Sequence, residues 1–132
     1  MMNENFSIKN TTRQKTPPNA GLSFVQIKEQ VLGKKYNLSL VFIGDALSRK
    51  LNKEYRNKDK ATNILSFPVS EEEGEIFINL KQAHKDASKF KKRYNKFVAY
   101  LFVHGVLHLK GFDHGDEMEK EEEKIMRKFF NN

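Results

Sequence analysis

The sequence contains no cysteine, which excludes disulfide frameworks, thiol nucleophiles and every zinc or iron-sulfur centre built on thiolates. Any metal must therefore be held by histidine, aspartate or glutamate. No run approaches the roughly 18 uninterrupted apolar residues of a membrane span. The longest, Phe97 to Leu109, is 13 residues long and holds two histidines. The amino terminus, MMNENFSIKNTTRQKTPPNAG, lacks a basic region followed by an apolar one, so no secretion signal is expected and the expected location is cytoplasmic. Internal repeats and low-complexity tracts are missing as well.

What is present fits one domain spanning residues 1–132, within the usual domain size range. The hydrophobic fraction of 38% is low and the charged fraction of 31% high, yet Phe 11 and Tyr 4 supply large core side chains. The chain therefore reads as globular rather than disordered. Lys+Arg 24 against Asp+Glu 17 gives a net charge of +7, a balance that attracts polyanions. The charge is segregated. Arg49 to Lys60 has six basic and two acidic residues, Lys81 to Lys96 seven basic and one acidic, and Asp113 to Glu123 seven acidic and one basic. Each run alone could be a solvated helix face; together they describe a molecule with a positive side able to hold a phosphate backbone.

Apolar periodicity and turn residues predict the elements. A short strand is expected at Asn5 to Lys9, then a Pro17–Pro18–Gly21 loop, a helix from Leu22 to about Gly33, and a buried strand from Leu38 to Ile43. Asp45 is the expected cap of a helix to about Tyr55. Thr62 to Val69 and Glu75 to Leu80 read as strands joined by the tight link SEEEG. Helices follow at Lys81 to about Lys92, from an Asn95 cap to Leu109 with a stop at Gly111, and from an Asp116 cap to the end. The order βαβαββααα gives an α+β fold, a mixed four-stranded sheet packed with about five helices. Crossover rules predict three parallel strands, the first three, with the fourth antiparallel.

The segment His104-Gly-Val-Leu-His108-Leu-Lys-Gly-Phe-Asp-His114 carries the chemistry. His104 and His108 lie one helical turn apart on one face. Gly111 can turn the chain back and bring His114 to the same ion. Three neutral imidazoles leave one tetrahedral position open for water, as catalytic zinc sites do. The spacing is shared with metzincin peptidases, whose general-base glutamate would fall at Gly105, so that mechanism lacks its base here. His84, the fourth histidine, reads as a surface or hydrogen-bonded residue. Arg56 ends a helix before a loop, where its planar fork suits bidentate phosphate recognition. Thr62, Asn63 and Ser66 bracket a strand start, and turn chemistry or substrate contact would each account for them.

Taken together, LNKEYRNKDKATNILSFP (Leu51 to Pro68), GEIFIN (Gly74 to Asn79) and HGVLHLKGFDH (His104 to His114) resemble the YbeY family of bacterial endoribonucleases, which take part in ribosomal RNA maturation and ribosome quality control. The resemblance implies that His104, His108 and His114 bind one zinc ion and that Arg56 serves catalysis or RNA binding beside it. Glu75 stands where the family commonly has Asp, and Gly115 where an acidic residue is frequent. The expected activity is zinc-dependent hydrolysis of single-stranded RNA. Arg56 and His104 are then the catalytic candidates, and Arg56, Asn63 and Ser66 the substrate contacts. Asp113 is a candidate to orient an imidazole, and no general base is evident. The expected partner is ribosomal RNA, with ribosomal proteins or assembly factors beside it, and neither DNA nor a membrane. Two alternatives stand: a non-catalytic ribosome-assembly factor with a mainly structural zinc, and a metal-dependent hydrolase of another substrate.

Overall fold

Alternation in the strands and helical periodicity between them yield the order β1 (Phe6–Asn10), α1 (Leu22–Val31), β2 (Asn37–Ile43), α2 (Asp45–Arg56), β3 (Ile64–Ser70), β4 (Glu73–Asn79), α3 (Leu80–Lys89), α4 (Tyr94–Lys110) and α5 (Asp116–Phe130). These belong to a computed structural model that describes residues 5–130. The expected elements are all present. Several boundaries move: Gly44 and Arg93, rather than Asp45 and Asn95, precede α2 and α4. Leu80 leaves the strand to start α3, where Asn79 Oδ1 accepts the Gln82 N–H at 3.2 Å, a side-chain N-cap.

The sheet order is β1-β2-β4-β3. β1, β2 and β4 are parallel, and β3 is antiparallel to β4. The sheet is thus mixed, three strands to one, but the odd strand is the third and not the fourth. The hairpin inserts β4 beside β2 and leaves β3 at the edge, so α2 delivers the chain to the edge in the reverse direction rather than completing a parallel crossover.

One sheet face is the core face. Leu38, Leu40 and Phe42 of β2 alternate onto it, as do Ile76 and Ile78 of β4, and all are buried. Helix α4 crosses this face, with Val98, Phe102, Val103 and Val106 fully covered. Phe24 of α1 stacks on Phe102 with ring centroids 4.1 Å apart. Truncating such a buried phenylalanine to alanine typically costs about 3–5 kcal/mol. Helix α5 closes over α4 through Met118, Glu122 and Ile125, which are buried on one face. No helix among the described residues is long and apolar enough to cross a membrane.

Candidate metal centre

Helix α4 sits so close to the sheet at its middle that a Cβ added at Gly105 would lie 3.0 Å from Ile64 Cδ1 and 3.1 Å from Ile76 Cδ1. With Gly105 facing the strands, His104 and His108 share a different, half-buried face. Gly111 ends the helix at φ 115°, a conformation glycine adopts without a Cβ penalty. The Phe112 N–H then bonds back to the Leu107 carbonyl at 3.0 Å. This reversal returns His114 toward the helix, and one nitrogen from each of His104, His108 and His114 lies within 4.8 Å of the others. His104 Nε2 and His108 Nε2 are 3.1 Å apart.

The orienting carboxylate comes from α5. Glu122 Oε2 lies 2.5 Å from His104 Nδ1, and Glu122 is 6% exposed. With Nδ1 engaged by the carboxylate, the nitrogen that His104 turns toward His108 is Nε2, the arrangement in which a carboxylate partner orients an imidazole for a metal. Burial pushes the His108 imidazole below its ordinary pKa, and the neighbouring His104 and His114 push the same way. A Phe112 backbone hydrogen bond and the Glu122 charge oppose them. The net effect keeps His108 neutral at neutral pH, the form that donates to a metal.

This donor set fits a zinc-type ion. Tetrahedral Zn–N bonds of roughly 2.0–2.1 Å place paired nitrogens about 3.3 Å apart, close to the 3.1 Å between His104 Nε2 and His108 Nε2. His114 is exposed, which leaves a solvent-facing side where a further ligand could enter.

The other sequence candidates lie at differing distances from this chemistry. Asn63 lines a cavity of about 860 Å³ together with His104 and Glu122, and its Nδ2 donates to Asp86 Oδ2 at 2.9 Å. Ser66 Oγ donates to the Gly105 carbonyl at 3.1 Å, fastening β3 to α4 beside the first histidine. Arg56 ends α2, exposed to solvent, and lines neither that cavity nor the one formed around Lys110 to Glu117. The loop after it is well tied: Ser48 Oγ and the Thr62 backbone exchange two 2.9 Å bonds, and Asn52 Nδ2 donates to the Lys60 carbonyl at 2.9 Å.

Asp113 is exposed; the carboxylate that reaches a histidine is Glu122, which the sequence reading missed among seven acidic residues. The signal was present, because Met118, Glu122 and Ile125 recur at helical spacing and place one glutamate on the buried stripe of α5. His84 stacks on Tyr94, centroids 3.5 Å apart, and takes no part in the cluster. Gly115 takes φ 150° and its carbonyl accepts the Glu119 N–H at 3.0 Å. A residue with a Cβ rarely adopts that conformation, so glycine suits this turn.

A mixed sheet supporting a buried helix, with two histidines on that helix and a third on the turn beyond it, defines an α+β protein with a cluster of three imidazoles able to hold a metal ion. The family model described as Endoribonuclease YbeY matches residues 3–131, and the chain belongs to that family. It is 40% identical to Endoribonuclease YbeY of Oenococcus oeni, over 76% of this chain and 69% of the relative. The Agrobacterium fabrum protein of the same name is also 40% identical, covering 79% and 68%. One from Clostridium botulinum is 34% identical over 78% and 81%. The solution structure of TM1509 from Thermotoga maritima shares the fold, with a TM-score of 0.68, 21% identity, and coverage of 95% of this chain and 89% of that one.

Proposed function

We propose that the protein is a zinc-dependent endoribonuclease that cleaves single-stranded RNA in ribosomal RNA maturation and ribosome quality control, in the cytoplasm. The observation that carries this reading is the convergence of His104, His108 and His114, with Glu122 against His104 Nδ1, in a family whose members bear the name endoribonuclease. Zinc held by the three imidazoles would supply positive charge able to polarise a phosphoryl oxygen and to acidify water. Three imidazoles also suit nickel, cobalt or copper; an open tetrahedral nitrogen set favours zinc.

The chain's own groups do the rest. His104, oriented by Glu122 at Nδ1, would hold the ion through Nε2. Arg56 offers five N–H donors to the charge that develops on the phosphoryl oxygens, and it belongs to a basic segment in which Arg49 is already paired with Asp59 at 2.6 Å. Asn63, beside the cavity, has an amide that can meet substrate, and Ser66, whose Oγ donates to the Gly105 carbonyl, is the second substrate contact of this reading. Ribosomal proteins or assembly factors are the further partners this role would bring.

The test is cleavage of a labelled single-stranded ribosomal RNA fragment by the wild-type protein, His108→Ala and Arg56→Ala, with zinc and with chelator. The expected result is cleavage by the wild type alone, abolished by chelator, with Arg56→Ala retaining its zinc. Equal cleavage by wild type and His108→Ala, or none by either, overturns the reading. Undiminished cleavage by Arg56→Ala removes that residue from the mechanism.

A further inference from the structure

The cavity that reaches His104 is lined by side chains of both charges. The turn between α3 and α4 contributes Lys91, Lys92 and Arg93, and the first turn of α4 contributes Lys96, all exposed. From α5 come Glu119 and Glu123, both exposed, and buried Glu122, with Glu123 Oε2 also 3.9 Å from Arg127 Nη1. Along the cavity runs a series of rings. Phe90 and Phe97 have centroids 6.3 Å apart, Phe97 and Tyr100 6.0 Å, and Tyr100 and His104 5.9 Å. Phe97, Tyr100 and His104 follow one another at helical spacing on α4, so the series climbs one helix face into the metal centre.

Phe90, at its outer end, is 57% exposed, an unusual outlay of apolar surface for a residue with no burial to gain. The turn holds it firmly: the Lys92 N–H bonds the Ala87 carbonyl at 2.8 Å, Phe90 N–H bonds Asp86 at 2.9 Å, and Lys91 takes φ 54°. Lys89 Nζ lies 5.7 Å from the Phe90 ring, adding positive charge beside it.

Resting on the endoribonuclease reading above, we propose that this groove is the path of the RNA strand, with Phe90 as a base-stacking platform and the α3–α4 turn as its phosphate rail. Stacking on an exposed ring tolerates any base, because every base has a π-face, and a basic rail tracks one backbone. The α5 carboxylates give the groove its selectivity. A single strand can lay its phosphates along the lysines and turn its bases toward α5, where the carboxylates can accept from exocyclic amino groups. A duplex brings a second phosphate backbone against Glu119 and Glu123 and is repelled. Preference for single strands then follows from a groove that is basic on one side only.

The experiment is fluorescence anisotropy of a short labelled oligoribonucleotide, single-stranded or annealed, on the zinc-loaded protein, with the RNA checked intact on a gel afterwards. Phe90→Ala is expected to weaken single-strand binding roughly tenfold, since a stacked base contributes about 1–3 kcal/mol. Lys92→Ser/Arg93→Ser/Lys96→Ser is expected to weaken it further and to flatten the dependence of log affinity on log salt by about two. Arg93 precedes α4 without a side-chain cap bond, and Ser is a favoured residue there. Glu119→Gln/Glu123→Gln is expected to raise duplex affinity relative to single strand roughly threefold or more, because it removes the repulsion of the second phosphate backbone. Wild-type affinity and salt slope in the Phe90 and triple variants, alongside RNA binding by the wild type, overturn the path and leave the endoribonuclease reading intact. An unchanged duplex-to-single-strand ratio in the double glutamine variant overturns the role of the α5 wall. A wild-type protein that neither binds nor cleaves RNA of either form sinks both.

Discussion

Glu122 of α5 and His104 of α4 meet through a 2.5 Å contact between Oε2 and Nδ1, a link across 18 residues of sequence that fixes which nitrogen of His104 faces the metal centre. Partners of this kind commonly change metal affinity 10–100-fold when removed. Glu122→Gln keeps an acceptor and the side-chain volume but loses the charge, so about a tenfold loss of zinc affinity is expected. Glu122→Ala should approach a hundredfold. Competition against a chromophoric chelator measures both, and circular dichroism establishes that the fold is kept. Affinities equal to wild type in both variants would show that Glu122 does not tune His104.

The part of this centre that could be read in advance is the part encoded locally. His104 and His108 are separated by one helical turn and Gly111 marks the reversal, so spacing alone brings the first two imidazoles together and indicates the third. Glu122 depends on how α5 lies over α4, which no local rule specifies. It is visible only as one glutamate in phase with Met118 and Ile125. The strands show the same division. Alternation in Leu38, Leu40 and Phe42 predicts β2 and its buried face, whereas the insertion of β4 between β2 and β3 is decided by long-range pairing. The crossover rule therefore assigned the antiparallel direction to the wrong member of the hairpin. Asn63 and Ser66 look alike in sequence. Only the fold separates them, one at a cavity with His104 and the other bonded to the backbone of α4.

Zinc binding should appear as folding stability, because the unfolded chain offers no assembled site. With free zinc at a hundred times Kd the linkage adds about 2.7 kcal/mol, and for a domain of this size that raises Tm by roughly 10 °C. Differential scanning calorimetry of the chelated and zinc-loaded wild type, with His108→Ala beside it, measures the effect. His108→Ala should show no comparable rise. A rise of the same size in the variant would move the zinc away from the three histidines.

Acid should loosen the junction where α2 and α3 begin. Asp45 Oδ1 accepts from Asn79 Nδ2 at 2.8 Å, and its other oxygen lies 3.4 Å from Lys81 Nζ. The Asn79 hydrogen bond, helped by Lys81, holds the Asp45 carboxyl below its ordinary value. The folded chain therefore binds this proton less readily than the unfolded one. The contribution to stability is fully present above the unfolded pKa of about 3.9 and is lost as the pH falls through the lower folded value. Because the side chain is 36% exposed, solvent screening keeps the effect below about 1 kcal/mol. Urea unfolding of wild type and Asp45→Asn should differ in favour of wild type at pH 7 and converge near pH 2–3. A difference that persists unchanged at low pH would mean that it does not arise from the charge.

Gly105 leaves a histidine spacing shared with metallopeptidases without their general base. The residue after the first histidine faces the strands rather than the ion, and a Cβ there meets Ile64 and Ile76 at 3.0–3.1 Å. Ile76 is fully buried and has little room to yield. Gly105→Ala sets a helix-propensity gain of about 1 kcal/mol against the overpacking of a tight contact, which typically costs about 1–3 kcal/mol. A net loss of about 1 kcal/mol is expected. Gly105→Glu recreates the peptidase pattern in sequence but drives a carboxylate between the helix and the sheet, where it has neither room nor a partner. Its expected cost is about 3 kcal/mol or more, with no peptidase activity gained. Denaturant midpoints for the two variants, with a peptide substrate panel for the second, test this. A Gly105→Glu protein as stable as wild type would mean that α4 can lift from the sheet, and peptide cleavage by it would mean that position 105 can turn toward the metal.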